Sequence, residues 1–126
     1  MNDPKHLCPL RPDQQVVLVA EDEPIVRNIV RIALEADDYF VLSVCDGNEA
    51  LEISRQYPGT IHAVLTDVEM PNVNGLRLRE EILKDRPGIK VMLMSGRFAN
   101  PDESVPFLQK PFTPSVLKNR MRQFLR

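Results

Sequence analysis

The chain has 126 residues, 43% of them hydrophobic, which is enough for one compact core and too short for a second domain. Its 16 basic and 18 acidic residues give a formal charge of -2, which excludes a general attraction to nucleic acid or to an anionic membrane. Cys8 and Cys45 lack the spacing of a zinc site or a redox pair, and no apolar run approaches the roughly 20 residues that cross a bilayer. We therefore expect a cytoplasmic protein without direct nucleic-acid or membrane contacts.

The first 14 residues differ in composition from the rest of the chain. They contain three prolines among polar residues and show neither a helical nor a strand period. We predict a flexible N-terminal tail over residues 1–14 and one folded domain over residues 15–126.

Short apolar runs then alternate with amphipathic stretches. Most of the runs are rich in Val, Ile and Leu with little alternation, which is typical of parallel strands covered on both faces. We predict five strands, over residues 16–20, 40–44, 63–65, 89–94 and 105–108. The stretches between them predict four helices, which open at Pro24, near Asn48, after Gly75 and near Thr113. The first should direct Val26, Ile29, Val30 and Ala33 toward the sheet.

This alternation predicts a doubly wound α/β domain, with one five-stranded parallel sheet and helices on both faces. Ligands of such sheets bind beyond the carboxyl ends of the strands, at the point where the strand order reverses. Polar residues follow four of the five predicted strands there: Glu21 and Asp22 after the first, Asp67 after the third, Ser95 after the fourth and Lys110 after the fifth. With strand order 2-1-3-4-5, the three carboxylates converge on one small volume.

Three carboxylates in one volume repel each other, by about 4 kcal/mol per pair at an effective dielectric constant of about 20. Such a cluster takes up protons or binds a cation, and Mg²⁺ prefers oxygen ligands of this kind. A metal-bound carboxylate beside a lysine and a hydroxyl suits phosphoryl transfer. Asp67 is the candidate nucleophile, while Lys110 can neutralise phosphoryl oxygens and Ser95 can donate a hydrogen bond to one of them.

Four segments carry a family resemblance. They are Val17-Leu-Val-Ala-Glu-Asp-Glu-Pro24, Leu65-Thr-Asp-Val-Glu-Met-Pro71 with Gly75, Met94-Ser-Gly96 and Lys110-Pro-Phe112. In this order, across residues 16–126, they resemble the receiver domain of bacterial response regulators, the CheY-like domain of two-component phosphorelay signalling. The resemblance implies a flavodoxin-like fold and a signalling module that is not an enzyme in the usual sense. Its partner would be a histidine kinase or a phosphotransfer protein.

The resemblance also implies a role for each residue of the site. Asp67 would be the phosphoacceptor, and Ser95 the hydroxyl that moves to meet the phosphoryl group, which Lys110 would contact. For Mg²⁺, Asp22 would be a direct ligand beside Asp67, Glu21 would act mainly through a bound water, and the backbone carbonyl of Glu69 would complete the set. The Lys110-Pro111 bond is expected to be cis. Family members lose the phosphoryl group again by hydrolysis that they catalyse themselves.

The segment between Ser95 and Lys110 departs from the family pattern. After the fifth strand is subtracted, only about nine residues remain, fewer than the roughly 10 to 12 of a helical crossover, and Pro101 interrupts them. We predict that the family's fourth helix is shortened or missing, as expected of receivers attached to hybrid histidine kinases. Because this helix often contributes to the dimerisation or output face, we expect at most a weak homodimer.

Three further positions concern switching and phosphoryl lifetime. Phe107 stands where many family members have a switch tyrosine, so a rotamer switch there would lack a hydroxyl. Glu69 and Arg97 stand at positions that tune phosphoryl lifetime in the family. If their opposite charges pair across the pocket, they should hinder the attacking water and lengthen that lifetime.

Two alternative functions belong to other classes. Asp67-Val-Glu69 roughly imitates the nucleophile and acid of a haloacid dehalogenase-type aspartyl phosphatase, although those enzymes place the nucleophile after the first strand. The other alternative is a receiver-like interaction module that works without phosphorylation.

Overall fold

The structure is a computed structural model that describes residues 9–97 and 104–126. Its sheet has five parallel strands in the order β2-β1-β3-β4-β5, as predicted. The strands are β1 (Val16–Ala20), β2 (Phe40–Val44), β3 (Ala63–Asp67), β4 (Lys90–Ser95) and β5 (Phe107–Gln109). Every residue of β1 and β3 is buried, because these strands lie inside the sheet and carry helices on both faces.

Four helices cover the sheet: α1 (Pro24–Ala36), α2 (Gly47–Gln56), α3 (Gly75–Asp85) and α4 (Pro114–Phe124). The side chains of Asp46, Asn74 and Thr113 accept hydrogen bonds from backbone N–H groups in the first turns of α2, α3 and α4. One apolar core lies between the sheet and α2 and α3, and the other lies between the sheet and α1 and α4. No helix of the described residues is long and apolar enough to cross a bilayer.

Some boundaries differ from the predicted ones. β3 continues to Asp67, because Thr66 pairs with Ala20 and Asp67 pairs with Met94 on the neighbouring strands. β5 begins only at Phe107, although Val105 is buried. Within the described residues no helix separates β4 from β5, and residues 98–103 lie outside them. The shortened or missing fourth helix falls mainly on that segment and stays a prediction.

The described part of the predicted tail contacts the domain. Gln14 is buried, and its Nε2 donates a hydrogen bond of 3.2 Å to the backbone oxygen of Asp38, in the loop between α1 and β2. Arg11 forms an ion pair with the Asp38 side chain. Residues 9–14 are therefore attached at the edge of the sheet opposite the carboxyl ends of the strands, while residues 1–8 of the predicted tail lie outside the described residues.

Candidate functional site

The predicted site residues meet at the carboxyl edge of the sheet. Glu21 directly follows β1, Asp67 ends β3, Ser95 ends β4 and Lys110 directly follows β5. The parallel register brings these strand ends to one level, since Asp67 pairs with Met94 and Ser95 pairs with Gln109. The convergence expected from strand order is therefore present in the structure.

Lys110 connects the acidic residues. Its Nζ donates a hydrogen bond of 2.5 Å to Oε1 of Glu21 and lies 3.3 Å from Oδ2 of Asp67. The Glu21 side chain is 1% exposed, that of Asp67 5% and that of Lys110 18%. The Lys110-Pro111 bond is cis, as the resemblance implied, and the Lys110 N–H donates to the backbone oxygen of Ser95. One ammonium group thus contacts two nearly buried carboxylates.

Burial makes the charges of this cluster costly. It raises the pKa of Glu21 to about 7, against the opposing effect of the Lys110 hydrogen bond. Burial also raises the pKa of Asp67, again opposed by Lys110. For Lys110 itself, burial disfavours the charge, but the hydrogen bond and attraction of Glu21 and the charge of Asp67 outweigh it and raise its pKa. When Glu21, Asp22 and Asp67 are all ionised, the one ammonium group leaves two negative charges uncompensated, and burial makes that fully ionised state costly.

The donor atoms present fit a small divalent cation. One carboxylate oxygen each from Glu21, Asp22 and Asp67 lies within 4.8 Å of the other two. Oδ1 of Asp67 is buried and has no hydrogen-bond partner among the described residues. Buried polar atoms normally have a partner, so this oxygen is a candidate ligand atom. An all-oxygen donor set with two uncompensated negative charges matches the preference of Mg²⁺.

Ser95 ends β4, the strand beside the one that carries Asp67, and its hydroxyl is hydrogen-bonded. Its Oγ donates a hydrogen bond of 2.5 Å to Oε1 of Glu69, and it accepts one of 3.2 Å from the Arg97 N–H. Glu69 thus contacts Ser95, and no ion pair joins it to Arg97 in the described part of the chain, although such a pair was one of our hypotheses. Phe107, the candidate switch aromatic, is half-buried against the core shared by α2 and α3.

Gly75 has a role at the site that sequence reasoning did not identify. A Cβ atom added to it would lie 2.2 Å from the backbone oxygen of Asp67 and 3.0 Å from the Cα of Val68. Its own N–H donates a hydrogen bond of 2.9 Å to the Val68 oxygen. The first turn of α3 therefore packs directly on the backbone that carries Asp67, and only a residue without a side chain allows this approach.

An apolar row on α1 was also missed. Ile25, Ile29 and Ile32 are 69%, 47% and 58% exposed and lie on one side of the helix. Helical spacing predicted that Ile29 faces the sheet, but it lies at the rim of a cleft of about 400 Å³ whose walls include Lys110 and Phe112. The cleft is lined both by Ile29, the middle residue of this isoleucine row of residues 25, 29 and 32, and by Lys110, which contacts the carboxylates of the site.

A sequence model of the response regulator receiver domain matches residues 17–122. The chain therefore belongs to this family and is a receiver domain of the two-component type. Asp67 ends the third strand, whereas haloacid dehalogenase-type phosphatases place their nucleophile after the first. Both the fold and the family thus favour a receiver over that phosphatase.

The chain is also similar to parts of longer members of the family. It is 35% identical over 116 residues to sensor kinase CckA of Brucella abortus, covering 86% of this chain and 12% of the kinase. It is 32% identical over 116 residues to the aerobic respiration control protein ArcA of Escherichia coli, covering 86% of this chain and 48% of ArcA. The chain thus spans about half the length of ArcA. The crystal structure of the receiver domain from hybrid histidine kinase CckA matches with a TM-score of 0.79 at 35% identity, covering 88% of this chain and 99% of that one.

Proposed function

We propose that this receiver domain accepts a phosphoryl group on Asp67 in a Mg²⁺-dependent reaction. The observation that supports it best is the state of Asp67, which is buried among carboxylates, contacts Lys110 through one oxygen and has no hydrogen-bond partner among the described residues for the other. A structural carboxylate in such a place would normally be fully hydrogen-bonded. A nucleophile that binds a metal ion and attacks phosphorus keeps its oxygens available.

The transfer starts from a phosphohistidine on the partner. A carboxylate oxygen of Asp67 attacks the phosphorus, the phosphorus–nitrogen bond breaks and the imidazole leaves with its electron pair. The product is an acyl phosphate on Asp67. In the second half of the cycle the acyl phosphate is hydrolysed. Water attacks the same phosphorus, the bond to Asp67 breaks, and inorganic phosphate and the free carboxylate are released. No oxidant or further cofactor is needed for either step.

Asp22 and Asp67 would hold Mg²⁺ directly, Glu21 would act through a water molecule, and the Glu69 backbone carbonyl would complete the protein ligands. The ion, when bound, supplies positive charge against the phosphoryl oxygens. Phosphorylation of Asp67 would also change the partners available to Lys110. The Lys110 ammonium now donates to Glu21 at 2.5 Å, and a phosphoryl group on Asp67, 3.3 Å from the same nitrogen, competes for it.

Acetyl phosphate labelling tests this proposal without a partner protein. We expect intact-mass spectrometry to show one added phosphoryl group with Mg²⁺, and none with a chelator or in Asp67→Asn. Continuous release of phosphate from a generic phosphate ester would instead support a phosphatase. If the folded protein gains no label under any of these conditions, the phosphorylation-independent interaction module becomes the better account.

The partner is proposed to be a histidine kinase or phosphotransfer protein that docks on the isoleucine row. A histidine that transfers to Asp67 must enter at the carboxyl edge of the sheet, and the cleft beside Lys110 connects that entrance to Ile29. Large apolar side chains that are about half exposed or more, grouped beside a site, are typical of a contact surface. A helix of the partner with a complementary apolar face would cover them.

Substitution of Ile29 separates docking from chemistry. A panel of autophosphorylated histidine kinases is first screened for the one that labels the wild-type domain fastest. With that kinase, Ile29→Glu should reduce the rate of phosphoryl transfer, while labelling by acetyl phosphate stays unchanged. Leu10→Glu is the matched control, because Leu10 is 89% exposed but lies in the segment attached at the opposite edge of the sheet. Equal transfer to the Ile29 variant and to wild type would argue against this docking surface.

A further inference from the structure

Ser95 has one proton to donate, and the structure shows where that proton is used. Its Oγ donates to Oε1 of Glu69 at 2.5 Å, a short bond to a charged acceptor, while the Arg97 N–H donates to the same oxygen at 3.2 Å. A serine hydroxyl carries a single donor. While it points at Glu69, it therefore cannot donate to a phosphoryl oxygen on Asp67.

Glu69 is well placed to exert this control. It lies two residues after Asp67 on the loop that follows β3, whereas Ser95 ends β4, so the hydrogen bond ties two neighbouring strand ends together. The Ser95 residue is fully buried and Glu69 is half-buried. A phosphoryl group on Asp67 brings negative charge toward the Glu69 carboxylate and offers Ser95 a competing charged acceptor.

We propose that Glu69 is a positioning residue that holds the Ser95 hydroxyl in the unphosphorylated domain and gives it up when Asp67 is phosphorylated. The inference rests on the proposed phosphorylation of Asp67. The exchange moves one hydrogen bond from the Glu69 carboxylate to a phosphoryl oxygen and releases the Glu69 side chain. Glu69 therefore opposes the phosphorylated arrangement, and its removal favours that arrangement.

A double-mutant cycle tests this role. The ligand is beryllofluoride with Mg²⁺, which mimics a phosphoryl group, and the readout is its dissociation constant for wild type, Glu69→Ala, Ser95→Ala and the double variant. Removing Glu69 also removes a negative charge near the proposed metal site, but that effect is present whether or not Ser95 is substituted and cancels in the cycle. What remains is the coupling between the two side chains.

We expect Glu69→Ala to tighten beryllofluoride binding about tenfold more in the background that retains Ser95 than in the Ser95→Ala background. A tenfold difference is the order of one hydrogen bond to a charged group. Ser95→Thr keeps a hydroxyl and should retain the difference. If Glu69→Ala changes the dissociation constant equally with and without Ser95→Ala, the positioning role of Glu69 is overturned, while the proposed phosphorylation of Asp67 still stands. If wild type binds no beryllofluoride and takes no label from acetyl phosphate, the proposed function falls together with it.

Discussion

The close contact between Gly75 and the Asp67 backbone leads to a sharp prediction for Gly75→Ala. The new Cβ would lie 2.2 Å from the Asp67 oxygen, and real Cβ atoms essentially never come within 3.0 Å of such an atom. The contact is with backbone, so no flexible side chain can move away. Either the first turn of α3 or the strand end that carries Asp67 must shift by most of an ångström.

Overpacking of this kind costs about 1–3 kcal/mol of the free energy of unfolding. Helix propensity acts in the opposite direction, because alanine favours helix over glycine, so a measured loss understates the clash. With a urea dependence of about 1–3 kcal/mol per M, a loss of about 2 kcal/mol lowers the unfolding midpoint by about 1 M. Labelling of Asp67 by acetyl phosphate should also slow, since the shift displaces the proposed nucleophile.

Gly88→Ala is the matched control. A Cβ at Gly88 meets nothing within 4 Å, and no described glycine has a positive φ. The control should therefore be neutral or gain up to about 1 kcal/mol through a less flexible unfolded chain. Urea unfolding of the two variants and wild type decides the matter. A Gly75→Ala protein as stable as wild type, or a Gly88→Ala protein equally destabilised, would refute the steric argument.

Three further predictions concern stability. Arg86→Lys should cost about 1–3 kcal/mol in urea unfolding, because the guanidinium donates to the carbonyls of Ser54, Tyr57 and Gly59 and an ammonium cannot reach all three. An unchanged midpoint would contradict this. Asp37→Asn should be slightly destabilising at pH 7. The hydrogen bond with Arg122 lowers the pKa of Asp37, so its contribution to the free energy of unfolding is complete above about pH 4 and is lost as the pH falls through the lowered pKa. The unfolding curves of wild type and Asp37→Asn should therefore converge at low pH. Asp67→Asn should raise the melting temperature in chelator, because burial raises the pKa of Asp67 and its charge is costly, and Mg²⁺ should then stabilise the variant less than wild type. Equal Mg²⁺ shifts in calorimetry would count against Asp67 as a ligand.

The sheet could be predicted from sequence because its signal is local. Apolar runs identify strands, the helical stretches between them imply parallel crossovers, and strand order then places Glu21, Asp67 and Lys110 at one edge. The end of β3 could not be read in the same way. Thr66 and Asp67 resemble loop residues in sequence, and only pairing with the strands on both sides makes them part of the sheet.

The missed features depend on contacts between distant segments. Ser95 and Glu69 are 26 residues apart, and their hydrogen bond depends on the orientation of two side chains. The 2.2 Å approach at Gly75 depends on how α3 docks against β3. Ile29 fits the apolar period of α1, but the helix turns that position toward the cleft beside Lys110, which no one-dimensional pattern records.

The central claim is that Asp67 is the phosphoacceptor, and peptide mass mapping of the acetyl phosphate-treated domain tests it most directly. The account predicts one phosphoryl group per chain, on the peptide that contains Asp67, only when Mg²⁺ is present. A label on a peptide that contains Glu21 and Asp22 but not Asp67, or a label on Asp67 that forms equally well in chelator, would contradict it.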